Sequence, residues 1–458
     1  MDLQQLVASI SSFLWGPIML AFLVGTGIFL TIRLKFRPFL NLWYAIKLVV
    51  ISNESKEGDI TAFQAFMISL SATVGTGNIV GVATAMVLGG PGALVWMCFS
   101  ALCGFATKYA ESVLSVKYRQ KNSIGEMAGG PMYVMKYGIG GVVGTFLGGF
   151  FAISALMASF GIGNMAQANS IAQAFTTSFA IDPSLICAAL VLLCLAILMR
   201  GVKTIGVVSS LVVPVMALFY VIVSIIAIII NFHALPEGIA EIFRMAFSVE
   251  AAAGGVGGAI IASMLDAMRY GAARGVFSNE AGLGSAAIAA AAAKTEHPSM
   301  QGYINMTGNF FDTIIICVLT GLVIASSGAL GATNAAGEII TGAELTIYAF
   351  SSVFGEHARI IVSISLALFA FSTILGWEYY GEKALEYLWD NHDLIVCYRT
   401  IFSMVTYIGA TQSLTFVWDF SDMANGLMII PNLISLIILS KVVREDSDDY
   451  QVKYIDKK

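Results

Sequence analysis

Val74-Gly75-Thr76-Gly77-Asn78 interrupts an apolar run from 62 to 88, and Ser278-Asn279-Glu280-Ala281-Gly282-Leu283-Gly284 interrupts another from 258 to 293. Each interruption mixes glycine with Thr, Asn, Ser or Glu in the middle of a stretch long enough to cross a bilayer. An unpartnered polar group in hydrocarbon is costly, so both clusters need protein partners or water. Small residues let membrane helices approach closely, which accounts for most of the 45 glycines and for the Gly/Ala-rich stretch 251–293. Packing alone leaves the polar members unexplained. Backbone unwound at such a point exposes N–H groups on one half-helix, suited to a carboxylate, and C=O groups on the other, suited to Na⁺ or an ammonium group. A zwitterionic amino acid needs both in one place.

The surrounding composition sets the medium. Of 458 residues, 58% are hydrophobic and 12% charged, against roughly 25% charged in soluble domains. The apolar residues fall in separate blocks of membrane-spanning length. These features exclude a soluble enzyme, a secreted disulfide scaffold, a disordered chain and a nucleic-acid binder. The runs are continuous, not alternating, so the class is an all-α polytopic membrane protein and not a β-barrel. The net charge of −5, with only a short acidic run at 445–449, implies no polyanion partner. Six cysteines without a CxxC pair and four scattered histidines argue against disulfides, zinc or haem, and no cofactor is expected. No basic n-region opens the chain, so the first apolar run reads as a retained helix. The Gly75–Gly77 pair is not a dinucleotide fingerprint, because no strand precedes it.

The pattern predicts a leading span at 13–32, an interfacial and cytoplasmic segment at 33–60 with an amphipathic stretch from 39 to 51, and ten further spans. These lie at 62–88, 92–116, 143–176, 184–199, 205–231, 258–293, 302–326, 357–381, 397–416 and 421–440. An extracellular loop region is expected at 232–257 and a cytoplasmic tail at 441–458. With the N-terminus outside and the C-terminus inside, 20 of the 24 basic residues take the cytoplasmic side. The exceptions are Arg244, Arg269, Arg274 and Arg359. The interrupted spans are the first and sixth of the ten, so each opens a five-span half (61–231 and 258–440), and an odd span count inverts the second half. Paired interruptions at matching positions are the best sequence pointer to a transporter's central site.

Other intramembrane polar groups have two readings. Asn164, Gln167 and Ser170 share a helical face and serve either helix–helix bonding or pocket lining. Phe369, Thr373 and Trp377 recur every four residues beside Ser372, either as packing or as a wall with two hydroxyls for a cation. Glu280 lies within an interruption and is not on one face with Arg274. Asp266 and Arg269 are placed for a structural pair. Glu111, Asp312 and Glu378 are expected near the inner ends or capping polar networks, with no transport role. The run 61–88 has no ionisable residue, so a cation there is held by carbonyls and hydroxyls, which suits Na⁺ better than a proton.

Several stretches resemble the signature of the alanine or glycine:cation (sodium) symporters. They are Ser71-Ala72-Thr73-Val74-Gly75-Thr76-Gly77-Asn78-Ile79-Val80-Gly81-Val82-Ala83-Thr84-Ala85, Gly89-Gly90-Pro91-Gly92-Ala93, Gly129-Gly130-Pro131-Met132-Tyr133, Arg274-Gly275-Val276-Phe277-Ser278-Asn279-Glu280-Ala281-Gly282-Leu283-Gly284-Ser285, Phe371-Ser372-Thr373-Ile374-Leu375-Gly376-Trp377 and Pro431-Asn432-Leu433. The resemblance covers about 14 to 440. It implies a leucine-transporter-like 5+5 inverted repeat with one additional N-terminal helix, about 11 transmembrane helices in all, and sodium-driven uptake of small neutral amino acids. It implies substrate contacts at Thr76, Gly77, Asn78, Gln167, Phe277, Asn279, Glu280, Gly282, Thr373 and Trp377. A more distant likeness to neurotransmitter:sodium symporters implies Na⁺ at the carbonyls of Ser71 and Val74 and the hydroxyls of Ser372 and Thr373.

The reading is therefore a sodium-coupled carrier of alanine or glycine in the cell inner membrane, working by alternating access. Its only partners are the amino acid, the sodium ion and the lipid bilayer; no nucleic acid and no obligate protein partner is implied. The alternatives are a proton-coupled carrier with Glu280 as the proton site, or a glutamine-selective one. A channel lacks its continuous polar lining, and a membrane enzyme lacks its constellation of metal ligands or nucleophile.

Overall fold

The structure, a computed structural model, describes residues 3–51, 57–248, 251–255, 258–411 and 414–456. Lys56, Lys457 and Lys458, counted above on the cytoplasmic side, lie outside these, as do parts of the expected 33–60, 232–257, 397–416 and 441–458 segments.

Among the described residues, seven helices are long and apolar enough to cross a membrane: Ala93–Lys117, Gly141–Phe179, Val202–Ile230, Pro298–Ser326, His357–Leu388, His392–Thr411 and Val417–Ile438. Two bent pairs, Gln4–Leu14 with Pro17–Arg33 and Ala62–Thr73 with Gly77–Leu88, raise the number to nine. Pro183–Leu198 is a shorter apolar helix. The lipid-facing logic is plain on Val202–Ile230. Val207, Leu211, Val215, Leu218, Ile222, Ile225 and Ile229 form an exposed stripe at steps of three and four, while Ser209, Val213, Met216, Tyr220 and Ala227 are buried. An exposed stripe of branched aliphatics suits acyl chains and not water. The chain is a multi-pass membrane protein.

Local signals explain the ends. Thr61 and Gln64 form a capping box ahead of Ala62–Thr73, and Ser263 with Asp266 forms another ahead of Met264–Asn279. That box corrects one expectation: Asp266 accepts from Ser263, while Arg269 lies over the Tyr270 ring at 5.5 Å. Pro17 restarts the leading span after a 42° bend, so the expected helix 13–32 is Pro17–Arg33 with a separate helix before it. The expected amphipathic stretch forms the helices Arg37–Leu40 and Leu42–Val50.

Two broken helices form the centre. The first is Ala62–Thr73 with Gly77–Leu88, bent by 46°. The second is Met264–Asn279 with the short Ala286–Ala291. They run side by side in opposite directions. At one end Ile60 and Thr61 pair with Ala293 and Lys294 as a parallel two-residue ladder; at the other, a Cβ on Gly89 would lie 3.0 Å from the Asp266 carbonyl. Ten of the twelve residues of Ala62–Thr73, from Ala65 to Thr73 and at Ala62, are buried, so lipid-facing helices sheathe it.

The tail beyond 440 is a docked helix, Ser440–Tyr450. Asp446 accepts from Lys117 Nζ at 2.7 Å, Asp448 pairs with Arg37, and Asp449 lies 3.1 Å from His297 Nε2. The Tyr44 and Tyr450 hydroxyls are 2.9 Å apart. The acidic run is spent on the chain's own cations.

Packing of the second broken helix is tight enough to test. A Cβ at Gly271 would run into the Ala93 carbonyl and sit 2.8 Å from Trp96 Cβ, whereas one at Gly149 would meet nothing within 4 Å. Gly271→Ala is expected to destabilise by about 1–3 kcal/mol, the usual cost of overpacking. A thermal-shift assay in detergent should show a lowered melting temperature, with Gly149→Ala unchanged or raised.

Candidate functional site

Helix breaks free backbone groups, and side chains take up several of them. In the first break, Gly75 N–H donates to Asn78 Oδ1 at 2.9 Å and Thr76 N–H to Gln167 Oε1 at 3.3 Å. Gln167 is fixed in turn by its Nε2, which donates to the Ile162 carbonyl at 2.9 Å. On the other side of the break, Thr373 Oγ1 lies 2.9 Å from Ser71 O and 3.4 Å from Val74 O, and Ser372 Oγ lies 3.5 Å from Ser71 O. Each hydroxyl also lies near the Phe369 carbonyl of its own helix, at 2.9 and 3.0 Å, so its single O–H serves one of these oxygens at a time. Three carbonyls and two hydroxyls therefore converge in a buried space with no charged side chain among them, a donor set that suits a hard monovalent cation.

The second break is held by charge. Its helix ends at Asn279, and Glu280 turns the chain in the left-handed region with φ 59°. Lys108 Nζ donates to the Asn279 carbonyl at 2.9 Å, Glu111 Oε1 accepts Gly282 N–H at 3.0 Å, and Asn279 Oδ1 accepts Ala281 N–H at 3.0 Å. Asn432 Nδ2 bridges Glu111 at 2.7 Å and Gly282 O at 2.9 Å. Glu280 accepts from Trp377 Nε1 at 2.8 Å and from Ser285 Oγ at 2.6 Å. Asp312 joins the breaks: it accepts from Asn78 Nδ2 at 2.7 Å, Ser278 Oγ at 2.9 Å and Thr313 Oγ1 at 2.8 Å.

The residues singled out in the sequence thus fall into one neighbourhood. Gly77 lies against Ser278 and Phe277, where its Cβ would come to 3.2 and 3.4 Å. The hydroxyl oxygen of Thr76 is buried with no partner. Trp377 packs on Gly163 and spends its N–H on Glu280. The stripe on the third core span divides: Gln167 reaches the break, Asn164 donates to Phe402 O at 2.7 Å as interhelical glue, and Ser170 bonds its own helix.

The sequence profile of the sodium:alanine symporter family matches residues 1–458. The chain belongs to that family. The sodium/alanine symporter AgcS of Methanococcus maripaludis is 47% identical over 449 residues, 97% of this chain and 96% of that protein. The probable sodium/glutamine symporter GlnT of Bacillus subtilis is 37% identical over 98% of this chain and 91% of its own. Among solved structures, MhsT in complex with L-phenylalanine superposes with TM-score 0.61 at 13% identity, covering 86% of this chain and 93% of that one. The fold is shared. The chain is a transporter, not an enzyme.

Within this symporter, several groups at the breaks were missed or misplaced from sequence. Lys108 was counted with the cytoplasmic cations, yet it is fully buried in Ala93–Lys117 against the second break. Asp312 and Glu111 cap polar networks, as one expectation had it, but the networks are those of the breaks themselves. Their occurrence in apolar runs was the available signal. The Phe369 carbonyl carried no side-chain signal at all. Above the second break, Arg274 forms a two-pronged pair with Asp422 at 3.2 and 3.0 Å, over the stacked rings of Phe277 and Trp418, 5.0 Å apart. This lid faces the end of the broken helices opposite the strand pair. A cleft of about 160 Å³ opens on it, lined by Ser11, Trp15, Arg269, Arg274 and Asp419 among others.

A Cβ at Gly75 would collide with Thr373 Oγ1 and approach Gln167 Oε1 to 3.3 Å. Gly75→Ala is expected to keep its folded yield on size exclusion but lose alanine uptake by about tenfold or more, because overpacking of 1–3 kcal/mol falls on the break. Uptake at the wild-type rate would show that the break is not where ligands meet.

Proposed function

We propose that the protein couples entry of Na⁺ to uptake of alanine or glycine across the inner membrane by alternating access. The carrying observation is the convergence of the Ser71, Val74 and Phe369 carbonyls with the Ser372 and Thr373 hydroxyls, one turn from the amide groups of Gly75 and Thr76. The first set offers oxygens to Na⁺. The second offers N–H donors to a substrate carboxylate, with Gln167 Oε1 holding the place that a carboxylate oxygen takes. Thr76 Oγ1, Asn78, Gly77 and the Asn279–Gly282 turn complete the cradle, and Phe277 with Trp377 closes it around a small side chain. Likeness to a sodium/alanine symporter supports the cargo and the ion.

The architecture proposed is eleven spans. Pro183–Leu198 and the second broken helix join the nine above, in a 5+5 inverted repeat behind the leading helix. The antiparallel course of the broken helices supports the inversion. Arg37, Lys117, Arg119 and Lys441 gather at the strand-pair end with the docked tail, which supports a cytoplasmic C-terminus and an outside N-terminus.

A proton-coupled reading would place its proton on Glu280. Its carboxylate takes the Trp377 N–H and meets the Ser285 hydroxyl, contacts that fit either protonation state. What favours sodium is the uncharged oxygen set of Ser71, Val74, Ser372 and Thr373 at the first break.

Proteoliposomes test the proposal. Alanine counterflow should require Na⁺ and survive collapse of the pH gradient while the sodium gradient and voltage are maintained. Uptake driven by a proton gradient in Na⁺-free buffer would transfer the coupling role to Glu280. Ser372→Ala should raise the Na⁺ concentration for half-maximal uptake, measured at saturating alanine, by about five- to 150-fold, for a loss of about 1–3 kcal/mol from a buried polar partner. A shift confined to substrate preference would remove Ser372 from the ion site.

A further inference from the structure

The strand pair at the cytoplasmic end of the broken helices has no role in the site described above. Ile60–Thr61 runs directly into the first broken helix at Ala62, and Ala293–Lys294 directly follows the short half Ala286–Ala291 of the second. They pair in parallel, Ile60 with Ala293 and Thr61 with Lys294. Asp59 N–H and Ile60 N–H both donate to Ala292 O, at 2.9 and 3.3 Å. Gly58 has φ +140°, and a Cβ there would lie 2.6 Å from Lys294 N, so only glycine brings the two backbones this close.

One side chain bridges both partners. Arg119, just beyond the helix Ala93–Lys117, donates from Nη1 to Ala291 O at 3.0 Å and Ala293 O at 2.7 Å, and from Nη2 to Glu57 O at 3.4 Å. The Ala291 carbonyl ends the short half-helix, where the dipole favours a cation, and the Ala293 carbonyl belongs to the strand that follows. Asp59 Oδ2 accepts Met127 N–H at 2.8 Å, tying the same segment to the loop after Arg119. Ile60 and Ala293 are buried, whereas Arg119 is partly exposed. A ladder of two residues has little stability of its own. It is held shut by a latch that water can reach.

We propose that this pair is the cytoplasmic gate and that Arg119 is its latch, a positioning residue that must let go before cargo leaves inward. The inference rests on the alternating-access reading. Any path from the breaks to the cytoplasm has to part Ala62–Thr73 from Ala286–Ala291, and the ladder spans that gap.

The test is a cross-link in full-length protein. Ile60→Cys with Ala293→Cys places two thiols on facing residues, and adjacent strands lie about 4.8 Å apart, within disulfide reach. Thr61→Cys with Lys294→Cys, the other facing pair, serves if the first does not insert. Oxidation should abolish alanine uptake into proteoliposomes and dithiothreitol should restore it, while Na⁺-dependent alanine binding in detergent persists. Full cross-linking by mass spectrometry with undiminished uptake would overturn the gate. Absence of Na⁺-dependent binding in the reduced wild type would instead overturn the sodium:alanine reading beneath it.

The latch has its own readout. Cys317 is buried within 3.4 Å of Asn78 and Ser278 between the breaks. Arg119→Gln should speed alkylation of Cys317 from the cytoplasmic side by roughly tenfold, the effect of losing one charged hydrogen-bond donor, and Arg119→Lys should partly reverse it. An unchanged alkylation rate would overturn Arg119 as the latch.

Discussion

Backbone freed by a broken helix cannot stay bare in hydrocarbon, and most of the unusual features of this molecule answer that constraint. Two helices are broken within apolar runs, and several of the freed groups meet side chains that are themselves held. Asn78 and Gln167 serve the N–H groups of the first break, and Glu111 and Asn279 those of the second. The carbonyls of Ser71 and Val74 meet Thr373, and that of Asn279 meets Lys108. Buried charge follows as a consequence. Lys108, Glu111, Glu280 and Asp312 stand within the same polar core, Lys108 on the Asn279 carbonyl and each carboxylate hydrogen-bonded to two or more groups, so none is an isolated ion in a medium where isolation is expensive.

The two breaks meet this constraint by different means. The first uses neutral amides and hydroxyls, whose bonds are the weaker kind. The second is fastened by charged groups, whose bonds are stronger and shorter. Asp312 couples them, since it touches Asn78 on one and Ser278 on the other. Cys317 Sγ, within 3.4 Å of both Asn78 and Ser278, and the close approach of Gly77 to Ser278 join them as well. The closures at the ends differ in kind as well: Arg274 with Asp422 is a side-chain pair over aromatic rings, while the opposite end is closed by backbone pairing.

The two breaks were legible in sequence because they announce themselves locally, as glycine and polar residues in an apolar run. Helix ends fall within about seven residues of the expected spans, but 258–262, expected to open a span, pairs as a strand with 251–255 ahead of the helix that starts at Met264. Partners were not legible. The spacing of Asn164, Gln167 and Ser170 gives a face, yet only tertiary packing decides that Gln167 reaches Thr76 while Asn164 reaches Phe402. Lys108 resembles any basic residue toward the end of a span until the second break is seen to end against it. Asp266 three residues before Arg269 looks like a pair, but the nearer claim of Ser263, at the start of the helix, prevails. The Phe369 carbonyl lies beyond sequence reasoning altogether, since every residue has one.

The docked tail has a practical corollary in ionic strength. Its contacts to Lys35, Arg37 and Lys117 are ion pairs with partly exposed members, and such pairs weaken as the Debye length falls from about 10 Å at 0.1 M salt to about 3 Å at 1 M. Adding sodium chloride to this protein therefore does two things: it supplies the proposed coupling ion at the core and it screens the cations that hold the tail. Only titrations at constant total salt, with an inert organic cation replacing sodium, separate the proposed occupancy at the breaks from loosening of the docked tail.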